Sequence, residues 1–185
     1  MTTHCTICLH MVASLDGYIA RKDNSISWFD TTDRYEAGVE PEDAAEFLAG
    51  IDAYIMGANT YEHALALAAT YGWAYGDKPC IVVASRPLRV DRPSVEIFTG
   101  DHSALVEKRL APHYKNCWVV GGAALAHDFL QQQLVQEIRL SILPILLGGG
   151  LPFFTSTGLE QPLHLKNVSA YKNGMVELHY EIKPA

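Results

Sequence analysis

The sequence predicts a three-layer α/β domain built around a mixed, mostly parallel β-sheet. From residue 5 to about residue 133, short apolar runs alternate with helical segments, which is typical of parallel strands with helices on both faces. Two segments that alternate apolar and polar residues, at about 163–171 and 174–183, close the chain and indicate an antiparallel hairpin. With 185 residues and no internal repeat or linker, the chain has the size of one domain, and we assign residues 1–185 to it.

Apolar runs predict the strands in order. Residues 5–13 are almost continuously apolar, as expected of a strand in the middle of a sheet. Shorter runs predict further strands at residues 53–56, 80–84, 95–98 and 118–120. Residues 137–144 alternate as a half-exposed strand does. Residues 145–154 make a glycine-rich corner, and Lys172-Asn173-Gly174 suits the turn of the closing hairpin.

Helical composition and spacing predict four helices between these strands. They cover residues 41–49, 61–69, 103–110 and a segment from the glycine pair 121–122 to about residue 133. Pro41, Glu42 and Asp43 suit the first turn of the first helix, because proline fits that position and acids complement the helix dipole. Asn59 or Thr60 is expected to cap the second helix.

Composition and charge exclude several classes of function. Apolar residues make up 49% and charged residues 19% of the chain, and the net charge is -7. The Lys and Arg residues are scattered, with no run longer than two, which argues against a nucleic-acid or anionic-membrane surface. The start of the chain lacks the basic region of a secretion signal, and no apolar window is long enough to span a membrane. We therefore expect a cytoplasmic protein that binds neither nucleic acid nor membranes.

The four cysteines are interpreted as reduced thiols of the core. Cys5 and Cys8, flanked by His4 and His10, have a spacing that metal ligands also use. In a strand, however, positions 5 and 8 point to opposite faces, and no second Cys/His pair at suitable spacing follows. The sequence therefore predicts no metal site.

A strand, a tight turn and a helix are predicted across residues 117–132, where Gly121 and Gly122 separate an apolar run from a helix. Glycine lets the backbone bend sharply and lets a ligand come close, and the first N–H groups of the helix face outward at its positive end. Such a junction can hold a phosphate. An isolated Gly-Gly pair is more often only a tight connection, so the neighbouring strands must decide between the two interpretations.

Three other features follow predicted strands in the same way. They are the Asp16-Gly17 turn, the segment Gly57-Ala58-Asn59-Thr60 and the segment Ser85-Arg86-Pro87. Because ligands of open α/β sheets bind beyond the carboxyl ends of the strands, these features are expected to converge on one edge. A hydroxyl beside a guanidinium suits a phosphate monoester, so the edge is predicted to hold a phosphate-bearing ligand.

A long polar loop leaves the first strand at Asp16 and ends at Trp28. An Asp-Gly pair is a favourable turn, which explains Asp16 on structural grounds alone. Long loops that leave core strands also often cover ligands. Both interpretations of Asp16 stay open.

An ordered set of short motifs resembles the dihydrofolate reductase-like superfamily. The motifs are Ser14-Leu15-Asp16-Gly17, Ser27-Trp28, Met56-Gly57 with Thr60-Tyr61-Glu62, Ser85-Arg86, Val119-Val120-Gly121-Gly122-Ala123, and Pro144 with Leu147-Gly148, Gly150, Pro152 and Phe154. Within the superfamily, the chain most resembles the reductase domain of the bifunctional riboflavin-biosynthesis deaminase/reductase and its small stand-alone relatives. The resemblance spans about residues 5–182 and implies a dihydrofolate reductase-like fold.

The resemblance implies that NADPH binds across the strand ends and passes a hydride to a small heterocyclic or ribosylamino-pyrimidine-like substrate. Carried over by position, Gly57, Asn59 and Thr60 would touch the adenine-side phosphates. Ser85 and Arg86 would face the 2′-phosphate that distinguishes NADPH from NADH. The residues at the pyrophosphate would be Val120, Gly121, Gly122, Ala123 and Ala124.

The resemblance also implies catalytic residues. Asp16 and Trp28 would lie by the nicotinamide and the substrate mouth, with Asp16 or a water as proton source. The carboxylate that dihydrofolate reductases place early in the second helix has Asp43 and Glu46 as candidates. Ala58 stands where many relatives have arginine. The deaminase zinc pattern, His-x-Glu with Pro-Cys-x-x-Cys, is absent, so any riboflavin role would be that of the reductase half.

We expect an NADPH-dependent reductase of a small metabolite. As the family often forms twofold dimers, homodimers are expected through the apolar corner 143–154 and the terminal strands. The alternative from another class is a module that binds NADP(H) without turnover. A nucleotide-binding transferase or hydrolase on a Rossmann-type domain fits less well, because the third glycine of that fingerprint and a Walker-type Gly-Lys-Ser/Thr are absent.

Overall fold

A computed structural model of the chain describes residues 5–30, 32–40 and 48–183. Ten strands are found among the described residues. They are β1 (Thr6–Ser14), β2 (Tyr18–Ala20), β3 (Ala53–Gly57), β4 (Cys80–Val83), β5 (Val95–Phe98), β6 (Asn116–Gly121), β7 (Glu137–Leu143), β8 (Leu151–Pro152), β9 (Leu163–Ala170) and β10 (Val176–Ile182). Eight of them form one sheet in the order β5-β4-β3-β6-β1-β7-β10-β9, and β2 pairs with β8 in a second sheet.

Pairing in the main sheet is parallel from β5 to β7 and antiparallel beyond it. β1 lies near the middle, between β6 and β7, and pairs with both in parallel. β10 pairs antiparallel with β7 and with β9. The predicted mixed sheet with a terminal antiparallel hairpin is therefore confirmed, and so is the central position of the first strand.

Three α-helices lie wholly within the described residues: α1 (Ala58–Tyr71), α2 (His102–Leu105) and α3 (Ala123–Gln131). A π-helical turn, Val106–Leu110, continues α2, and a 3-10 turn covers Ser27–Phe29. Residues 41–47 of the helix predicted at 41–49 lie outside the described residues, and residues 48 and 49 are helical. Among the described residues, no helix combines the length and the apolar character that crossing a lipid bilayer requires.

Successive residues of β3 enter two separate cores, which shows that the domain has three layers. Ile55 packs in a cluster with Leu105 of α2 and Phe129 of α3. Its neighbour Tyr54 packs in another cluster with Tyr61 of α1. Because successive strand residues point to opposite faces of a sheet, α1 lies on one face and α2 and α3 lie on the other.

The structure differs from the prediction at the start of α1. The helix begins at Ala58, so Asn59 and Thr60 lie in its first turn and do not cap it. Gly57 occupies the capping position with extended backbone angles (φ -78, ψ 163) and no side-chain cap. β3 ends at Gly57 and α1 begins at the next residue, so no polar residue lies between them. The cap predicted at Asn59 or Thr60 was therefore wrong.

The short pair β2 and β8 is absent from the prediction, which placed both segments in irregular structure. Tyr18 pairs with Pro152 and Ala20 with Leu151, and the Phe153 amide donates to the Gly17 carbonyl at 2.8 Å. Strands of three and two residues are too short for an alternating pattern to be visible. This pairing fixes the glycine-rich corner against the loop that follows β1.

Candidate functional site

The glycine turn after β6 requires glycine at its first position. Gly121 has a φ of +130°, and a Cβ at this residue would lie 2.6 Å from the terminal methyl carbon Cε of Met11. The peptide bond between Gly121 and Gly122 is cis. The Ala126 amide donates to the Gly122 carbonyl at 3.0 Å, so α3 begins directly after the turn.

The turn after β3 lies beside this glycine turn. Met56 pairs with Gly121 in the sheet register. A Cβ at Gly57 would lie 3.8 Å from both the Gly121 carbonyl oxygen and the Gly122 amide nitrogen, and a Cβ at Gly122 would lie 3.4 Å from the Thr60 hydroxyl oxygen. The starts of α1 and α3 are therefore neighbours, as the sequence predicted.

Neither helix start has a side-chain cap among the described residues. The first N–H groups of a helix have no partner within the helix, and they carry the positive end of its dipole. Ala123 and Ala124 at the start of α3, with Asn59 and Thr60 at the start of α1, are partly or fully exposed. Two adjacent, uncapped and accessible helix starts form an arrangement that can bind a phosphate or pyrophosphate.

Ser85 and Arg86 follow β4, the strand next to β3, and both are exposed. The backbone before them is fixed, because the Thr99 hydroxyl donates to the Ala84 carbonyl at 2.8 Å. The Arg86 guanidinium donates through Nη2 to Oε2 of Glu62 at 2.7 Å. The sequence predicted Arg86 at this edge but not its pairing with an acid on α1.

The turns that follow β1, β3, β4 and β6 are called the carboxyl edge below. The turn after β1 lies at the same end of the sheet as the other three, because β1 is parallel to its neighbour β6. All four features singled out in the sequence thus follow strands of one sheet at the same edge. This convergence is the main geometric feature of the candidate site.

The Asp16 carboxylate holds the glycine-rich corner. Its oxygens accept hydrogen bonds from the Ser14 hydroxyl at 2.6 Å, the Leu147 amide at 3.1 Å and the Gly148 amide at 2.7 Å. The Ser14 bond, followed by the two amide bonds, lowers the pKa of Asp16 below its ordinary value. Asp16 is therefore ionised at neutral pH, and its local role is to position the corner that follows β7.

Trp28 is buried at the end of the loop after β1, with 4% of its surface exposed. Its ring packs edge-on against Phe29 at a centroid distance of 4.7 Å. The indole Nε1–H has no hydrogen-bond partner among the described residues. A buried donor without a partner is costly, so this N–H is a candidate for contact with a bound molecule or a water.

The third predicted catalytic residue, Asp43, lies outside the described residues, as does its alternative, Glu46. Glu62 is the group at the edge to which the sequence analysis gave no role. It is visible in the sequence only as part of the motif Thr60-Tyr61-Glu62. Nothing local in the sequence indicates that its partner is Arg86, which lies 24 residues further on.

A second polar cluster lies on the sheet away from the carboxyl edge, beside a cavity of about 370 Å³. His10 Nε2 lies 3.2 Å from the Ser141 hydroxyl and 3.6 Å from Glu177 Oε2. Burial, with the charges of Arg139 and His179, lowers the pKa of His10 to about 4. Ser141 and Glu177 share one ring nitrogen, whereas a nucleophile–base–acid relay needs both nitrogens. The cluster therefore does not resemble a hydrolase triad.

Known proteins of one family match almost the whole of this chain. Residues 5–177 match the family described as the RibD C-terminal domain. The protein YwjB of Bacillus subtilis is 31% identical over 172 residues, which make up 93% of this chain and 95% of YwjB.

Many solved structures have a similar fold, and three examples each cover 97% of this chain. A proposed riboflavin-biosynthesis protein from Shewanella sp. PV-4 matches with a TM-score of 0.80 and 22% identity over 99% of that chain. A diaminohydroxyphosphoribosylaminopyrimidine deaminase/5-amino-6-(5-phosphoribosylamino)uracil reductase from Thermotoga maritima matches with 0.68 and 13% over 57% of that chain. Dihydrofolate reductase from Enterococcus faecalis, in complex with NADP(H), matches with 0.61 and 13% over 97% of that chain. These similarities confirm the dihydrofolate reductase-like fold, and with the match over residues 5–177 they show that the chain belongs to the RibD C-terminal domain family.

Proposed function

We propose that the chain is an NADPH-dependent reductase that transfers a hydride to a small heterocyclic substrate of the ribosylamino-pyrimidine kind. The observation that carries the proposal is the carboxyl edge itself. Two uncapped helix starts adjoin there through Gly57, Gly121 and Gly122, next to the turn that holds Arg86. The reductase named among the structural relatives supports the class of reaction, and the relative that binds NADP(H) supports the cofactor.

The donors of the edge fit a dinucleotide. The N–H groups at the starts of α1 and α3 suit the phosphates that join the two nucleotides, with Gly57, Asn59 and Thr60 on one side and Gly121, Gly122 and Ala123 on the other. Ser85 and Arg86 suit a further phosphate on the ribose. When bound, NADPH supplies the hydride, and the protein supplies position and the exclusion of water.

The ionised Asp16 is a poor source of the proton that must accompany the hydride, because its hydrogen bonds stabilise the carboxylate form. We propose that Asp16 instead keeps the glycine-rich corner in place beside the substrate. Trp28 offers its indole N–H to an acceptor atom of the substrate. The proton then reaches the substrate from a water, or from Asp43 on the segment that precedes residue 48.

The test has two parts. Titration with NADPH and with NADH is followed by quenching of the three tryptophans and by the melting temperature. Loss of NADPH absorbance is then measured in the presence of 5-amino-6-(5-phosphoribosylamino)uracil and related heterocycles. We expect saturable NADPH binding and substrate-dependent oxidation. If the chain binds neither NADPH nor NADH, the proposal is contradicted.

A second candidate function is cofactor binding without turnover. The lowered pKa values of Asp16 and Asp23 favour it, because both carboxyl groups of the loop from Asp16 to Trp28 are then ionised at neutral pH. Ala58, which stands where many relatives have arginine, also favours it. NADPH binding with no oxidation across the set of heterocycles would establish this second function.

We also propose a homodimer with a two-fold axis, built through the apolar corner and the terminal strands. Leu146 is 69% exposed, Phe154 50% and Val168 52%, and β9 is an edge strand of the sheet. Edge strands and clustered apolar side chains are common sites of association. Sedimentation equilibrium tests this directly, and a monomer mass at micromolar concentration contradicts it.

A further inference from the structure

The segment after β4 carries three arginines, and each has a partner. Arg86 donates to Glu62 at 2.7 Å, and Arg89 donates to Asp91 at 2.9 Å. The guanidinium of Arg92 lies 4.7 Å from the centroid of the Trp73 ring. The positive charge that a ribose phosphate would meet in this segment is therefore already partly compensated.

The Glu62 carboxylate lies close enough to Arg86 to repel an anion that binds there. The two side chains are half exposed, at 49% and 50%, so the pair is open to solvent and to a ligand. Arg86 has five N–H donors, and its contact with Glu62 uses Nη2. The guanidinium can therefore receive a phosphate while it stays paired, but that phosphate then comes close to a second negative charge.

The same carboxylate has the opposite effect on a ribose without the phosphate. An ionised glutamate accepts hydrogen bonds only, and a ribose 2′-hydroxyl can donate one. An acidic residue on the 2′-hydroxyl is how dinucleotide sites of other folds recognise NADH. Glu62 thus repels the 2′-phosphate and suits the 2′-hydroxyl.

We propose that Glu62 is a specificity-determining residue that limits the preference of this chain for NADPH over NADH. The proposal rests on the proposed cofactor function of the carboxyl edge. It adds that the ion pair between Glu62 and Arg86, and not Arg86 alone, sets which cofactor is used.

The chain offers a matched control for the substitution Glu62→Gln. Glu96 on β5 pairs with Arg109 at 2.8 Å, and their side chains are 47% and 52% exposed, much as in the pair at the edge. Glu96 pairs with Ile81 in the sheet, two positions before the end of the ladder at Val83 and Phe98. Glu96→Gln therefore makes the same change of charge and breaks the same kind of pair, away from the carboxyl edge.

Dissociation constants are measured for NADPH and NADH, and for the fragments 2′,5′-ADP and 5′-AMP, with the wild-type chain and both variants. In Glu62→Gln we expect the ratio of NADPH to NADH affinity to rise about tenfold, equivalent to ~1.4 kcal/mol. We expect 2′,5′-ADP to gain affinity and 5′-AMP to lose it or stay the same. Glu96→Gln should leave every ratio at the wild-type value.

Three results would overturn the inference while the proposed function stands. The first is an unchanged ratio of NADPH to NADH affinity in Glu62→Gln. The second is a lower ratio in that variant, which would mean that Glu62 orients Arg86 for the phosphate. The third is an equal rise of the ratio in Glu96→Gln, which would show a general effect of charge. If the wild-type chain binds neither cofactor nor fragment, the proposed function itself fails. The measurements on the wild-type chain separate that failure from the other three.

Discussion

The substitution Gly121→Ala tests whether the turn after β6 has the backbone described above. Gly121 has a φ of +130°, in a region that residues with a Cβ rarely adopt, and the added Cβ would lie 2.6 Å from Met11 Cε. The backbone strain costs about 1–3 kcal/mol. Met11 is 6% exposed, but the clashing atom ends a flexible side chain, so its displacement adds only about 1 kcal/mol.

We therefore expect Gly121→Ala to lower the free energy of unfolding by about 2–4 kcal/mol. For a domain of this size the melting temperature should fall by roughly 5–15 °C. The variant should remain folded, because natural domains have about 5–15 kcal/mol of stability. The assay is chemical denaturation followed by circular dichroism, with the calorimetric melting temperature as a second measurement.

Two control substitutions separate the contributions. Gly72 has a φ of +80° and nothing within 4 Å of an added Cβ, so Gly72→Ala should cost only the backbone strain of about 1–3 kcal/mol. Gly122 has a φ of -80°, and its Cβ would lie 3.4 Å from the Thr60 hydroxyl, so Gly122→Ala should cost less than Gly121→Ala. A denaturation midpoint of Gly121→Ala equal to that of the wild type would refute the reasoning about this turn.

Three further predictions concern the edge. Arg86→Ala should weaken NADPH binding far more than NADH binding, and equal weakening in calorimetric titrations would sink the assignment of Arg86 to the 2′-phosphate. Asp16→Asn should speed hydrogen exchange of the Leu147 and Gly148 amides. Because the pKa of Asp16 is lowered in the folded state, the stabilisation by its carboxylate is complete at neutral pH and is lost as the pH falls below about 4. An Asp16 carboxyl that titrates at the ordinary value by NMR would contradict this. Trp28→Phe removes a buried donor without a partner, which offsets part of the packing that the smaller ring loses. Stability should therefore fall only slightly while the KM for substrate rises, and an unchanged KM would show that the indole N–H does not touch substrate.

Most of the sheet could be predicted because its strands are short apolar runs separated by turn residues. The strand predicted at 95–98 is Val95–Phe98 in the structure, and no end of the other predicted strands is wrong by more than two residues. The errors occur at elements whose position depends on contacts with distant parts of the chain. Gly57, and not a polar residue, precedes α1 at the capping position, and β2 forms only because β8 lies beside it.

The candidate site could be predicted as a set of positions but not as a set of contacts. Gly121 and Gly57 were found because glycine after an apolar run is visible in the sequence, and the parallel order of strands brings such turns to one edge. The pairing of Arg86 with Glu62 joins residues that lie 24 positions apart. The bonds from Leu147 and Gly148 to Asp16 join residues more than 130 positions apart. No local pattern specifies such contacts, and they decide how strongly each charge is compensated.

The central claim is that the carboxyl edge binds a dinucleotide, and amide chemical shifts measured during titration with NADP⁺ test it most directly. We predict saturable shifts at Gly57, Thr60, Gly122 and Ala123, and none in the hairpin of β9 and β10. Shifts that avoid those four amides, or that gather around the cavity beside His10, would contradict the claim.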